Sequence, residues 1–320
     1  MPLATRLTDR LDIRHPILLA PMALVAGGAL AGAVSAVGGL GIIGGGYGDA
    51  EWIERQFAAA GNHRVGCGFI TWSMAQRPEV LDAALAHRPA AIMLSFGDPR
   101  PFAARIRQAG ARLICQVQSL AHVEEAIGAG ADIIIAQGAE AGGHGASRAT
   151  LPFVPVVVDA VARRAPETVV VAAGGIADGR GLAAALALGA SGALIGTRFL
   201  ATAEALIDPV EQKAIIDAGG EDTERDAVLD IARGSRWPRE YTARTLHHPF
   251  HDTWRDREDE LDANAEAKAA YRRGVTSGEL PPVVWASQAI DLITSLRPAA
   301  DVVDGIAAQA QDALARALGR

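Results

Sequence analysis

"TVVVAAGGIADGRGLAAALALGASGALIGTRF" runs from Thr168 to Phe199. It reads as strand, turn, helix, strand: a β-branched run over 168–173, the pair Gly174-Gly175, an alanine-rich segment over 178–189 with helical spacing, and a second short apolar run over 192–196. Both runs are apolar at every position rather than alternately, as expected of strands buried on two faces.

Working outward, the same unit recurs. Earlier strand candidates are "PILLA" (16–20), "LGIIG" (40–44), "VGCGFI" (65–70), "AAIMLS" (90–95), "RLICQV" (112–117) and "DIIIAQ" (132–137), and helical spacing fills the segments between them. Several of those segments end in glycine, which tolerates the left-handed conformation that stops a helix. Eight such strands predict an α/β fold, a closed (β/α)8 TIM barrel. An open doubly wound sheet is the competing arrangement, because periodicity alone does not show closure.

The repeat stops after Thr202. Residues 203–282 are more polar and read as a smaller, mostly helical insertion lying as a cap over one face. The chain then returns with "VVWASQAIDLI" (283–293) and an amphipathic terminal segment that would complete the outer ring, so the barrel is expected to comprise 1–202 and 283–320. That terminal helix could pack on its own barrel or on a second subunit, leaving a homodimer open.

With 320 residues, half of them hydrophobic, the chain has ample material for a core, and its formal charge of -7 argues against a nucleic-acid binder. The acid-rich "RDREDELD" (255–262) reads as a solvated helix face. Neither a secretory signal nor a membrane span is expected, because glycines interrupt the apolar N-terminal stretch. Cys67 and Cys115 lie in apolar runs and read as buried reduced thiols, which fits a cytoplasmic protein.

In such barrels ligands bind where the βα loops converge, at the C-terminal strand ends. After the seventh and eighth strands come "GG" (174–175) and "GT" (196–197), whose backbone N–H groups can cradle a phosphate that glycine lets approach closely. The other reading is glycine needed only for tight turns. A substrate phosphate, pyridoxal phosphate and flavin mononucleotide all fit such a cradle. Pyridoxal phosphate requires a Schiff-base lysine, and Lys213 and Lys268, the only lysines, lie beyond the barrel strands. A flavin fits the small, apolar, weakly charged loops. Trp72 and Ser73 after the third strand, with Trp285, Ser287 and Gln288 after the cap, are candidates to line a substrate pocket. No metal site is expected: "HHPFH" (247–251) has no adjacent carboxylate constellation at helical spacing and reads as a loop cluster.

"HPILLAPM" (15–22), "GGLGIIGGG" (38–46), "AQGAEAGGHGAS" (136–147) and the opening stretch together resemble the nitronate monooxygenase (2-nitropropane dioxygenase) family, best over residues 13–205. Flavin-dependent enoyl-acyl-carrier-protein reductases and NADH:quinone reductases of the same fold share the glycine motifs. The resemblance implies an FMN-containing enzyme that oxidises alkyl nitronates with dioxygen to carbonyl compounds and nitrite. By motif position, His144 would be the catalytic histidine facing the flavin. Pro21, Met22, Ala23, Gln116, Gly142 and Gly143 would border the ring, and Ala173, Gly174, Gly175, Gly196 and Thr197 would hold the phosphate end. An NAD(P)H-dependent reductase of an enoyl thioester or quinone is the alternative. Two departures stand out: some relatives carry an asparagine within the third strand, where this chain has "GCGFIT", and a lysine where it has Gln116.

Overall fold

A computed structural model describes residues 3–319 of the chain. Eight parallel strands form one sheet: β1 (Ile17–Leu19), β2 (Ile42–Gly46), β3 (Gly66–Ile70), β4 (Ala91–Ser95), β5 (Arg112–Val117), β6 (Ile133–Gln137), then, after a short strand β7 (Gly143–Gly145) that lies outside it, β8 (Val169–Ala173) and β9 (Ala193–Ile195). The order around the sheet is β1-β9-β8-β6-β5-β4-β3-β2, and a parallel bridge between Leu18 and Leu40, just ahead of β2, joins its two edges. The sheet is thus a TIM barrel, and the open doubly wound alternative is excluded.

Alternation within the strands builds two cores. Leu18, Ile42, Met93, Ile114, Ile135, Val171 and Leu194 point inward, and Leu7 and Leu11 of the helix Arg6–Leu11 join them. Their neighbours Ile43, Cys67, Ile92, Leu113, Ile134, Val170 and Ile195 point outward against the helices. Both sets are buried, which is why the strands read as unbroken apolar runs. Ile135→Ala, deep in the inner core, is expected to lower stability by about 2–5 kcal/mol, read as a lower urea midpoint with unchanged slope.

Farther along the same inward-facing rows stand Gly44, Gly68, Ser95, Gln116, Gln137, Ala173 and Gly196. Large branched residues fill the lower layers, and small or amide residues leave space at the C-terminal end. The terminal helix Ala299–Ala317 packs beside the helix Gly179–Ala187 in the outer ring. Cys67 and Cys115 are buried free thiols, and burial pushes the Cys67 thiol up to about 12.

The segment expected to be mostly helical also contains an antiparallel pair, β10 (Thr223–Asp226) and β11 (Thr242–Leu246). β11 pairs in turn with β7, setting Ala243 opposite His144. The histidine stretch after β6, read from sequence as a loop, is therefore partly an edge strand of a second, three-stranded sheet. Edge pairing of this kind needs backbone only, so glycines on either side of His144 leave no side-chain trace of it. Among the described residues, no helix is long and apolar enough to cross a membrane.

Candidate active site

A cavity of about 330 Å³ opens where the inward-facing row thins out. Its wall includes Pro21, Met22 and Ala23 after β1, Gln116 of β5, Gly142, Gly143 and His144, Ala173, Gly174 and Gly175 at the end of β8, and Gly196 and Thr197 after β9. Trp285 and Ser287 also line it. These residues come from opposite ends of the chain, and closure of the barrel brings them together.

Other expected lining residues stand elsewhere. Ser73 is buried and donates to the Tyr47 carbonyl (3.1 Å) instead of facing the cavity. Gln288 is exposed, and its backbone N–H donates to the Glu140 carbonyl (3.0 Å). Trp72 lies one layer back, edge-on to Tyr47 and Trp237. The turn of helix that follows β3 rotates this segment away from the opening.

The loop over 138–142 is held rigidly. Arg225 of β10 donates to the carbonyls of Ala139 (3.2 Å) and Ala141 (2.7 Å), and Arg244 of β11 donates to Ala139 (3.1 Å). Glu140 accepts from the Thr150 backbone N–H (2.9 Å) and hydroxyl (2.7 Å). A Cβ on Gly142 would lie 2.8 Å from the Ala286 carbonyl carbon and 2.9 Å from Ser287 N, so only glycine fits this crossing. Gln116 donates to Gln137 (3.1 Å), whose own amide donates to the His144 carbonyl (3.0 Å).

His144 is less open than its glycine neighbours suggest. Its Nε2 is 2.7 Å from Oδ2 of Asp230, and the two side chains are only 9% and 5% exposed. Arg233 donates to the other oxygen of Asp230 (2.6 Å). The Trp237 indole stacks on the imidazole with ring centroids 3.4 Å apart and planes 8° from parallel. Trp237 donates through Nε1 to the Tyr47 hydroxyl (2.8 Å), and Phe96 and Tyr241 pack against it edge-on. Asp230, Arg233 and Trp237 were not singled out from the sequence, since "AVLDIARGSRWP" (227–238) carries no local sign of a site.

Burial pushes the His144 imidazole below the usual histidine range, opposed by Asp230 and reinforced by Arg233 and Arg225. The ring stays neutral to lower pH than a free imidazole. If neutral His144 is the working form, the acid limb of kcat/KM should fall below about pH 6.5, and Trp237→Ala, by admitting water, should move that limb upward in a pH-rate profile.

A family model described as nitronate monooxygenase matches residues 4–63 and 70–309. The chain belongs to the nitronate monooxygenase family. A nitronate monooxygenase of Metarhizium robertsii is 36% identical over 271 residues, spanning 76% of this chain and 74% of the relative. FabK of Thermotoga maritima superposes with a TM-score of 0.83 at 30% identity, covering 99% of both chains. Nitroalkane oxidase of Streptomyces ansochromogenes superposes with a TM-score of 0.77 at 26% identity, covering 99% of this chain and 100% of that one. Membership makes the chain an oxidoreductase of a generally flavin-dependent family.

One further cluster departs from expectation. "HHPFH" has no carboxylate constellation at helical spacing beside it, only Asp252, but the fold adds another carboxylate: Glu224 of β10 lies 2.8 Å from His247 Nδ1 and 3.4 Å from His251 Nδ1.

Proposed function

We propose that the protein is an FMN-dependent nitronate monooxygenase that oxidises alkyl nitronates with dioxygen, giving a carbonyl compound and nitrite. The observation that carries this reading is His144 at the wall of the cavity, paired with the buried Asp230 behind it. FMN suits the residues present. Among the described residues, no protein acceptor meets the backbone N–H groups of Gly175, Ile176 or Thr197, which leaves donors for a phosphate at the ends of β8 and β9. Gly174 and Gly175 have φ of 103° and 69°, a conformation that lets backbone rather than side chain face the ligand. Pro21, Met22, Ala23, Gln116, Gly142 and Gly143 would border the ring. Bound FMN supplies the redox chemistry at that position.

The rest falls to the chain's own side chains. With the Nε2 proton held by Asp230, His144 keeps an Nδ1 lone pair that has no partner among the described residues, in a ring that lines the cavity. It can take the α-proton of a neutral nitroalkane, and in its protonated form it can hold an anionic nitronate. Asp230 stabilises the positive charge that protonation creates, while Arg233 adds a cation to the same wall. Trp237 and its aromatic neighbours limit water around the pair. Gln116 supplies an amide where some relatives carry a lysine, so β5 offers no positive charge to the ring.

The likeness to FabK supports a second reading, an NAD(P)H-dependent flavin reductase. Anaerobic mixing separates the two. Reduction of the flavin by a nitronate, with NADH and NADPH leaving the yellow colour unchanged, is expected; rapid bleaching by either pyridine nucleotide, with no response to nitronate, would replace the first reading with the second. Assays under air should then show nitrite release in step with oxygen uptake.

A further inference from the structure

Glu224, His247 and His251, none of which lines the cavity, come together at the end of the antiparallel β10–β11 pair. Glu224 stands opposite Thr245, His247 follows β11 directly, and His251 sits in the first turn of the helix Pro249–Trp254. Each offers one ligand atom, and these atoms lie within 4.8 Å of one another. His251 is 1% exposed and Glu224 19%, while His247 at 42% leaves the cluster a path to solvent.

The orientation of the two imidazoles is the informative feature. Both turn Nδ1 toward Glu224, at 2.8 Å for His247 and 3.4 Å for His251. Both turn Nε2 toward a separate carboxylate: Asp252 at 3.3 Å for His247 and Asp226 at 3.5 Å for His251. Metal-bound histidines characteristically do this, one nitrogen facing the ion and the other N–H facing a carboxylate that orients the ring. The backbone N–H of His248 donates to His251 Nδ1 (3.1 Å), which places that ring's proton at Nε2, the tautomer required. His248 itself differs, since its two ring nitrogens are engaged by the Phe250 N–H and the Pro281 carbonyl.

Spacing and charge agree. Ligands 2.0–2.1 Å from a tetrahedral zinc ion stand about 3.3 Å apart; His247 Nδ1 is 2.8 Å from Oε1 of Glu224 and His251 Nδ1 is 3.4 Å from Oε2, so small side-chain shifts bring three donors to that spacing. Among the described residues the carboxylates of Glu224, Asp226 and Asp252 have one guanidinium partner, that of Arg255 on Glu224; with both imidazoles neutral, as metal ligands are, three negative charges meet one positive and leave an excess of two. A divalent ion balances it.

We propose that Glu224, His247 and His251 bind one divalent transition-metal ion of the zinc class, with water as the remaining ligand, and that the ion ties the β10–β11 pair to the helix Pro249–Trp254. Arg255 stays on the carboxylate as an outer partner, while the ion displaces the proton that His247 Nδ1 donates to Glu224, with Asp252 then accepting from Nε2, and takes the place of the His248 N–H at His251 Nδ1. The site is independent of the redox reaction proposed above.

The test is metal binding rather than turnover. Flavin-loaded protein, dialysed against a chelator and then against chelator-free buffer, is titrated with Zn2+ by calorimetry and with Co2+ by visible absorption beyond the flavin band. One ion per chain is expected, with a tetrahedral Co2+ spectrum that Zn2+ abolishes. His247→Asn and Glu224→Gln should each weaken binding by more than the roughly 10–100-fold expected of Asp226→Asn, which removes only an outer partner. His247 is half-exposed, so its variant keeps the test decisive even where Glu224→Gln fails to fold. Absence of binding in the wild-type protein overturns the proposal. So does binding that His247→Asn leaves unchanged.

Discussion

Replacing His144 by alanine is expected to lower kcat/KM for nitroalkanes by about 10²–10⁴-fold, the range in which a positioned acid or base contributes. The loss should fall mainly on kcat, with flavin content unchanged, because in the proposed placement the backbone of Gly142 and Gly143 rather than the imidazole would border the ring. Removing the ring also deprives Asp230 of its partner at Oδ2, but Arg233 remains on Oδ1, so the carboxylate is not left alone. Steady-state kinetics alongside the flavin spectrum checks both parts. A variant with full turnover on every substrate would sink the catalytic role of His144.

Asp230→Asn should come close to the same loss while leaving the fold intact. The carboxylate accepts the Nε2 proton at 2.7 Å and so fixes which nitrogen holds the lone pair. An asparagine can offer its amide N–H instead, which favours the tautomer protonated at Nδ1 and turns the free lone pair toward the substituted side chain. The catalytic nitrogen then has no capacity to take a proton, and the imidazolium loses its counter-charge. A fall of about 10² or more in kcat is expected, by the same logic as other His–Asp pairs. The acid limb of the pH profile should also move down, because Asp230 is the group that raises the imidazole against burial. Nitronates presented as preformed anions should suffer less than neutral nitroalkanes, since no α-proton has to be removed. Equal losses on both would identify Asp230 as a support for the loop rather than for proton transfer.

The barrel was legible because its physical signature is local. Each strand of the closed sheet is buried on both faces, so every residue of "DIIIAQ" or "TVVVAA" within the strand must be apolar, small or amide, and the run stands out between helical segments. All eight expected strands occur, within two residues of their expected ends. The glycines at 174–175 and 196 were equally readable, since strand ends in a barrel have a known common side. The direction of individual side chains just past a strand was not. Ser73 and Gln288 sit close in sequence to residues that face or approach the cavity, yet one turn of backbone sends each away from it.

The chain order of apolar runs and glycines thus carried the (β/α)8 architecture, the end at which the cavity opens and the family. Folding in three dimensions decided how His144 is equipped. Asp230 and Trp237 lie 86 and 93 residues beyond it and belong to a polar segment with no motif of its own. The pairing of β7 with β11 draws that segment over the barrel mouth, placing one residue against Nε2 and the other on the ring face. A histidine's proton affinity depends on burial and on the charge beside it. Those are properties of the packed neighbourhood, and no spacing along the chain encodes them.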